Sequence, residues 1–218
     1  MKRTYLVGVL AAAGLIAAAT TPLPRLAHGD APTMYGQAYY TCCNDFYGLA
    51  KQSVVVVRAR VTAMSPSHFL SPDKRMFVQD APPQSDKGPI PTPDARVTPP
   101  TDPGILVTDA TVQVVRALHG SAEQGQTLTV EQVGGIDSQG QQWATDDPLL
   151  QVGQEEVLFL LQNPNGTYST VGGPQGRFTI DAAGKVQSHA SAAWGYLKKI
   201  DGLTVDALKA AVDVAQSQ

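Results

Sequence analysis

The chain has 218 residues, 43% of them hydrophobic and 16% charged, with 16 basic residues, 19 acidic ones and two cysteines. That hydrophobic share suits one globular domain with a real core, which needs no cofactor to hold it together. The weakly acidic balance excludes an electrostatic footprint for nucleic acid or anionic lipid.

At the amino terminus, Lys2 and Arg3 precede an unbroken run of apolar and small residues from Leu6 to Ala19, and Thr20–Gly29 then turns polar. This is the pattern of a secretory signal peptide over residues 1–29. The run is shorter than the roughly 20 residues that span a bilayer. Cleavage after Ala19 and cleavage after Gly29 both satisfy the small-x-small rule. With Asp30 as the mature start, Lys2, Arg3 and Arg25 are lost and no acidic residue with them, so 13 bases face 19 acids, a net charge of −6. The mature chain is expected to be secreted or extracytoplasmic, free of the membrane, and monomeric.

Cys42 and Cys43 are adjacent. A disulfide prefers Cα atoms about 4.4–6.8 Å apart, whereas neighbours across a trans peptide sit at about 3.8 Å, so a vicinal bridge is strained and readily reduced. Such strain can mark a redox or ligand switch. A purely structural bridge, or two thiols without a partner inside the chain, are the other readings, since no His or Lys stands beside either cysteine to activate it.

The stretch SVVVVRARVTAM, Ser53–Met64, alternates with the period of a strand. Val55, Val57, Ala59 and Val61 fall on one face, expected to be a barrel interior, and Arg58, Arg60 and Thr62 on the other. From Ser65 to Gly104 the chain carries ten of its sixteen prolines. Proline at that density removes backbone donors and favours extended, solvated conformers, so a long irregular insertion is expected, with Phe69, Phe77 and Val78 pinning its first half to the barrel. In TDATVQVVRALHG, Val112 and Val114 oppose Thr111 and Gln113, with a bulge before Leu118. In TLTVEQV, Leu128 and Val130 point inward against Thr129 and Glu131.

The loop GGIDSQGQQWATDD offers Asp137, Asp146 and Asp147 as oxygen ligands for calcium, without the regular one-three-five spacing of a calcium-binding loop. EEVLFLLQ is apolar on both faces from Val157 to Leu161, as in a central strand covered on both sides. Asn163-Pro164-Asn165-Gly166 reads as a hairpin turn leading to a strand from Tyr168 to Val171. The glycines of TVGGPQGRFTI invite comparison with a phosphate loop, but Gly172, Gly173 and Gly176 are followed by the alternating Arg177–Ile180 and not by a helix. They are expected to bend strands, with a further turn at Asp181–Gly184. Thr204 caps an expected helix from Val205 towards Ala215 that buries Leu208, Ala211 and Val212, with Asp206 near its positive end.

His68, His119 and His189 match no ligand spacing, and His28 goes with the leader. There is no GxSxG elbow, no paired cysteine and histidine signature and no carboxylate pair that spacing brings together, so an enzyme is not expected.

The cysteine pair, VVVVRARV, VQVVRALHG, TLTV, VGQEEVLFL and GTYSTVGGPQGRF together resemble secreted bacterial proteins whose barrel is like that of netrin and tissue-inhibitor-of-metalloproteinases domains. The resemblance covers about Thr41–Val186 outside the proline-rich insertion. It implies a mainly β fold: a closed five-stranded OB-like barrel with flanking helices. The domain would run over residues 30–202, interrupted by the insertion at 65–104, with a C-terminal helix in 203–218. In the animal inhibitors a cysteine begins the mature chain, and its amine and carbonyl bind the protease zinc. Here the pattern is CC and Cys42 lies well inside, so that role passes to no residue. The expected function is a non-catalytic extracellular protein-interaction module without a cofactor; the alternative is a small-ligand or calcium-binding barrel.

Overall fold

A computed structural model describes residues 33–35, 42–70, 104–190 and 192–218. The expected leader, both cleavage sites, most of the proline-rich insertion, and Phe77 and Val78 within it lie outside the described residues.

Five strands close into a ring: β2 (Val55–Met64), β4 (Ile105–His119), β5 (Thr127–Val133), β9 (Tyr168–Thr170) and β8 (Glu155–Gln162), which returns to β2. Neighbours are antiparallel except β5 and β9, which run parallel. The protein is thus mainly β, a closed five-stranded OB-like barrel. β8 divides its partners: Leu160–Gln162 pair with β9, whereas Glu156–Leu158 pair with β10 (Arg177–Ile180), which in turn carries β11 (Val186–Ser188). The sheet therefore runs on past the barrel wall.

Alternation sets the core. Val55, Val57, Ala59 and Val61 join Ala110, Val112, Val114, Leu128, Val130, Leu158 and Leu160 inside the barrel. The β2–β4 register shifts between Arg58/Ala59, and beyond it Leu118 faces the second core. A bulge reverses the sense of the pleat in this way. On the other face of β8, Val157 and Phe159 pack with Val56, Phe178 and two helices. This explains the two-sided apolar run read from the sequence.

The helices are α1 (Phe46–Gln52) and α2 (Val205–Ser217). Asp45 caps α1 by accepting from the Gly48 N–H at 2.7 Å, and Leu49 and Ala50 are buried. Thr204 caps α2 through the Ala207 N–H at 3.2 Å; Val205, Leu208, Val212 and Ala215 form its buried stripe. Ala211, expected in that stripe, is only half-buried. Gln216 Nε2 donates to the Ala50 carbonyl at 2.6 Å, tying the two helices.

Two short pieces rim one end of the barrel. β3 (His68–Leu70) pairs with β4, so the insertion read as irregular from Ser65 starts with a strand strapped to the wall. β6 (Gly135–Ile136) and β7 (Gln142–Ala144) form a hairpin, and β1 (Thr33–Tyr35) adds to β7 in parallel.

Candidate functional site

The Cys42–Cys43 pair forms a disulfide, with Cys43 buried in the second core and Cys42 at its margin. It rests on the glycine-rich turn: a Cβ built on Gly172 would lie 2.8 Å from the Cys42 Cβ. Gly172 and Gly173 have φ of 63° and 56°, the left-handed region that only glycine enters freely. Gly173–Gly176 make one 3-10 turn that feeds β10; the sequence reading had a bend there without this turn. Inside it Gln175 is fully buried and accepts from the Tyr196 hydroxyl at 2.8 Å. Burial, aided by the Asp45 charge, pushes that phenol up to about 12, so it stays a donor.

The three aspartates of the 134–147 loop do different things. Asp137 Oδ1 accepts from the backbone N–H groups of Gln139 and Gln141, both at 2.9 Å, and its Oδ2 from the Trp143 indole at 3.2 Å. These bonds outweigh burial and hold its carboxyl below the ordinary value. Asp146 is exposed. Asp147 is buried and belongs to an ion cluster inside the barrel mouth. Among the described residues, no three His, Cys, Asp or Glu side chains come together as a ligand set.

Arg177 organises that cluster. It is 1% exposed and forks onto Glu156, with Nε to Oε2 at 3.1 Å and Nη2 to Oε1 at 3.0 Å. Its Nη1 donates to Asp147 Oδ1 at 2.6 Å and to the Pro148 carbonyl. His189 Nε2 lies 3.2 Å from Glu156 Oε1. Burial works against every charge here. For Arg177 the two carboxylates outweigh it and secure the cation, and for Glu156 the bonds to His189 and Arg177 outweigh it and keep the carboxyl low. For Asp147 burial prevails over Arg177 and raises the carboxyl. One guanidinium thus answers two buried carboxylates, forked onto Glu156 and singly bonded to Asp147.

The cluster is a plug. Leu150 N–H donates to Gln132 Oε1 at 2.7 Å, so β5, β8, β10 and the 145–150 segment are fastened across the barrel end. Sequence reading missed Arg177, Glu156 and Gln132. A signal was present, since Glu156 is in phase with the inward Leu158 and Leu160, and Gln132 with Leu128 and Val130. His68 is exposed on β3, and His119 is the last residue of β4, opposite Val56 of β2.

Above the plug an open cleft of about 510 Å³ lies among Met64, Ser67, Thr108, Ile136, Leu149 and Leu150. Two of its hydroxyls are spent within the fold: Ile136 N–H donates to Ser67 Oγ at 3.1 Å, Ser67 Oγ and Thr108 Oγ1 are 2.8 Å apart, and Thr108 Oγ1 donates to the Gly134 carbonyl at 2.8 Å. Gly135, at φ 135°, allows this close approach, because a Cβ there would land on both hydroxyl oxygens. At the rim Ile136 is 59% exposed, and Phe69 packs edge-on to Trp143 at 5.8 Å between centroids.

Comparison with known proteins adds no relative. No protein-family model, curated protein or solved structure matches the chain.

Proposed function

We propose that the protein is a non-catalytic extracellular interaction module of the netrin and tissue-inhibitor-like kind, which docks a partner protein at the barrel-mouth cleft. The observation that carries this reading is the cleft itself: its walls are largely apolar, and the Ser67 and Thr108 hydroxyls within it already hold partners inside the protein. Such a surface offers a partner's apolar side chain a place to leave water, with aromatic Phe69 and Trp143 alongside as anchors. The buried groups Arg177, Glu156 and Asp147, with His189 beside them, are fastened to one another below the cleft and serve as a plug. The leader pattern and the Cys42–Cys43 disulfide suit an oxidising compartment outside the cytoplasm.

The test is a photo-crosslinking residue placed at Ile136, with Val214, 57% exposed on the outer face of α2, as the control position. In the native extracellular fraction a discrete protein adduct is expected at Ile136 and not at Val214, and Ile136→Asp should abolish binding of the recovered protein without changing the melt. Equal adducts at both positions, or unaltered binding by Ile136→Asp, would overturn the reading. The calcium alternative makes the opposite forecast: a melting temperature that rises with added calcium, since a ligand of the folded state must stabilise it.

A further inference from the structure

On the outside of the wall that carries the cleft rim, Asp109 of β4 and Glu131 of β5 stand directly opposite each other. Partners in that register share one face, with Cβ atoms about 4.5–5.5 Å apart, and like charges there repel. Asp109 Oδ1 is buried and has no hydrogen-bond partner. A buried acceptor left unpaired is costly, and a second carboxylate alongside makes it worse.

We propose that Asp109 and Glu131 share one proton, donated by the protonated Glu131 carboxyl to Asp109 Oδ1, and that this bond locks the strap Ser65–Leu70 onto the barrel as the surroundings turn acid. The proton comes from solvent and returns to it. Protonation removes the repulsion and satisfies the orphaned oxygen in a single step. The inference rests on the docking reading for its consequence, because the strap forms the cleft rim.

The groups facing Glu131 agree. Burial pushes its carboxyl up first, the Asp109 charge second; a hydrogen bond with Asn165 of the 163–166 turn and the charge of His68 on β3 pull the other way without prevailing. Asp109 is also the anchor of the strap. Its N–H donates to Ser65 Oγ at 3.1 Å, and its carbonyl accepts from the Ser65 N–H at 2.8 Å. A carboxyl whose proton is held more tightly with the strap down than in open chain favours the strapped state below the ordinary glutamate value, and that advantage fades as the pH rises through the raised one.

The experiment follows the carboxyl carbons of Glu131 and Asp109 by NMR across the acid range, together with the exchange protection of the Ser65 and Asp109 amides. Glu131 is expected to titrate above the ordinary value of about 4.3, with protection of both amides lost over the same interval. In Glu131→Gln the amide is a permanent donor to Asp109 Oδ1, and protection should no longer vary with pH. In Asp109→Asn the Glu131 midpoint should fall. His68→Asn should leave the pH dependence in place. A Glu131 midpoint at or below the ordinary value, a Glu131→Gln protein that keeps the wild-type dependence, or its loss in His68→Asn would each overturn the proposal. The wild-type titration decides even if a variant fails to fold. It is read on the chain alone, so a failure to find an adduct at Ile136 would end the docking reading and leave the proton-sharing pair standing.

Discussion

Gly172 meets two demands at once, a left-handed φ of 63° and a Cys42 side chain pressed against its Cα. Gly172→Val should therefore cost about 1–3 kcal/mol through backbone strain. It should be read as a lower denaturant midpoint, with no effect of added nucleotide on wild type or variant; an unchanged midpoint would show that the turn tolerates a side chain. Arg177→Met should cost more, about 3–5 kcal/mol, because it strands two buried carboxylates without their shared cation. Urea unfolding checks this, and a loss below 1 kcal/mol would mean that Glu156 and Asp147 find other partners. At this scale the sequence was partly legible. The left-handed glycines have a local cause, turn chemistry, and it can be read from neighbours. The ion cluster joins residues 21 and 30 positions apart, and only a pleat phase hints that Glu156 and Gln132 point inward.

Strands announced themselves because their periodicity is a direct image of what they bury. From Arg58 onward β2 alternates since only one face is covered, whereas at Val56 it, like β8, meets a core on each face. α2 was equally plain, with its Thr204 cap ahead of a spaced apolar stripe. α1 is legible only as one of the flanking helices that the resemblance implies, and not from its own residues. It holds seven residues, too short for a period to stand out, although Asp45 with Phe46, Leu49 and Ala50 behind it is a start signal in retrospect. β1, β3, β6 and β7 were equally unreadable: two or three residues whose pairing is set by the barrel they lean on. The proline-rich insertion gives a prediction at this scale. Removing Asp80–Arg96 should leave a single cooperative melt, because closing a shorter loop changes the entropy cost only logarithmically and the segment brings little apolar surface. Loss of cooperativity would make that segment part of the core.

For the whole molecule the carboxyl groups set a pH optimum. Glu155, bonded to Arg60 and Arg58, and Glu156, bonded to His189 and Arg177, both titrate below their ordinary value once these bonds outweigh burial. Their stabilisation is present above about 4.3 and is lost as the pH falls through the folded values. Glu131 and Asp147 are raised by burial, so theirs is present below the ordinary carboxyl values and is lost as the pH rises through the folded ones. The two trends cross on the acid side of neutrality, where unfolding free energy measured against pH should peak; a maximum on the alkaline side would contradict the assignment.

The divided pairing of β8 also dictates a schedule. A nascent chain made as far as Val133 has β2, β4 and β5, three strands in a row with both edges bare, and nothing can close them until Glu155–Thr170 has been synthesised. Piecemeal folding from the amino terminus is thereby denied, because β8 completes the barrel and founds the outer sheet in the same act. The open sheet of β2, β4 and β5 can become a barrel only when the last third of the chain exists, so a chain cut short before Thr170 should hold the strands of a wall that never closes.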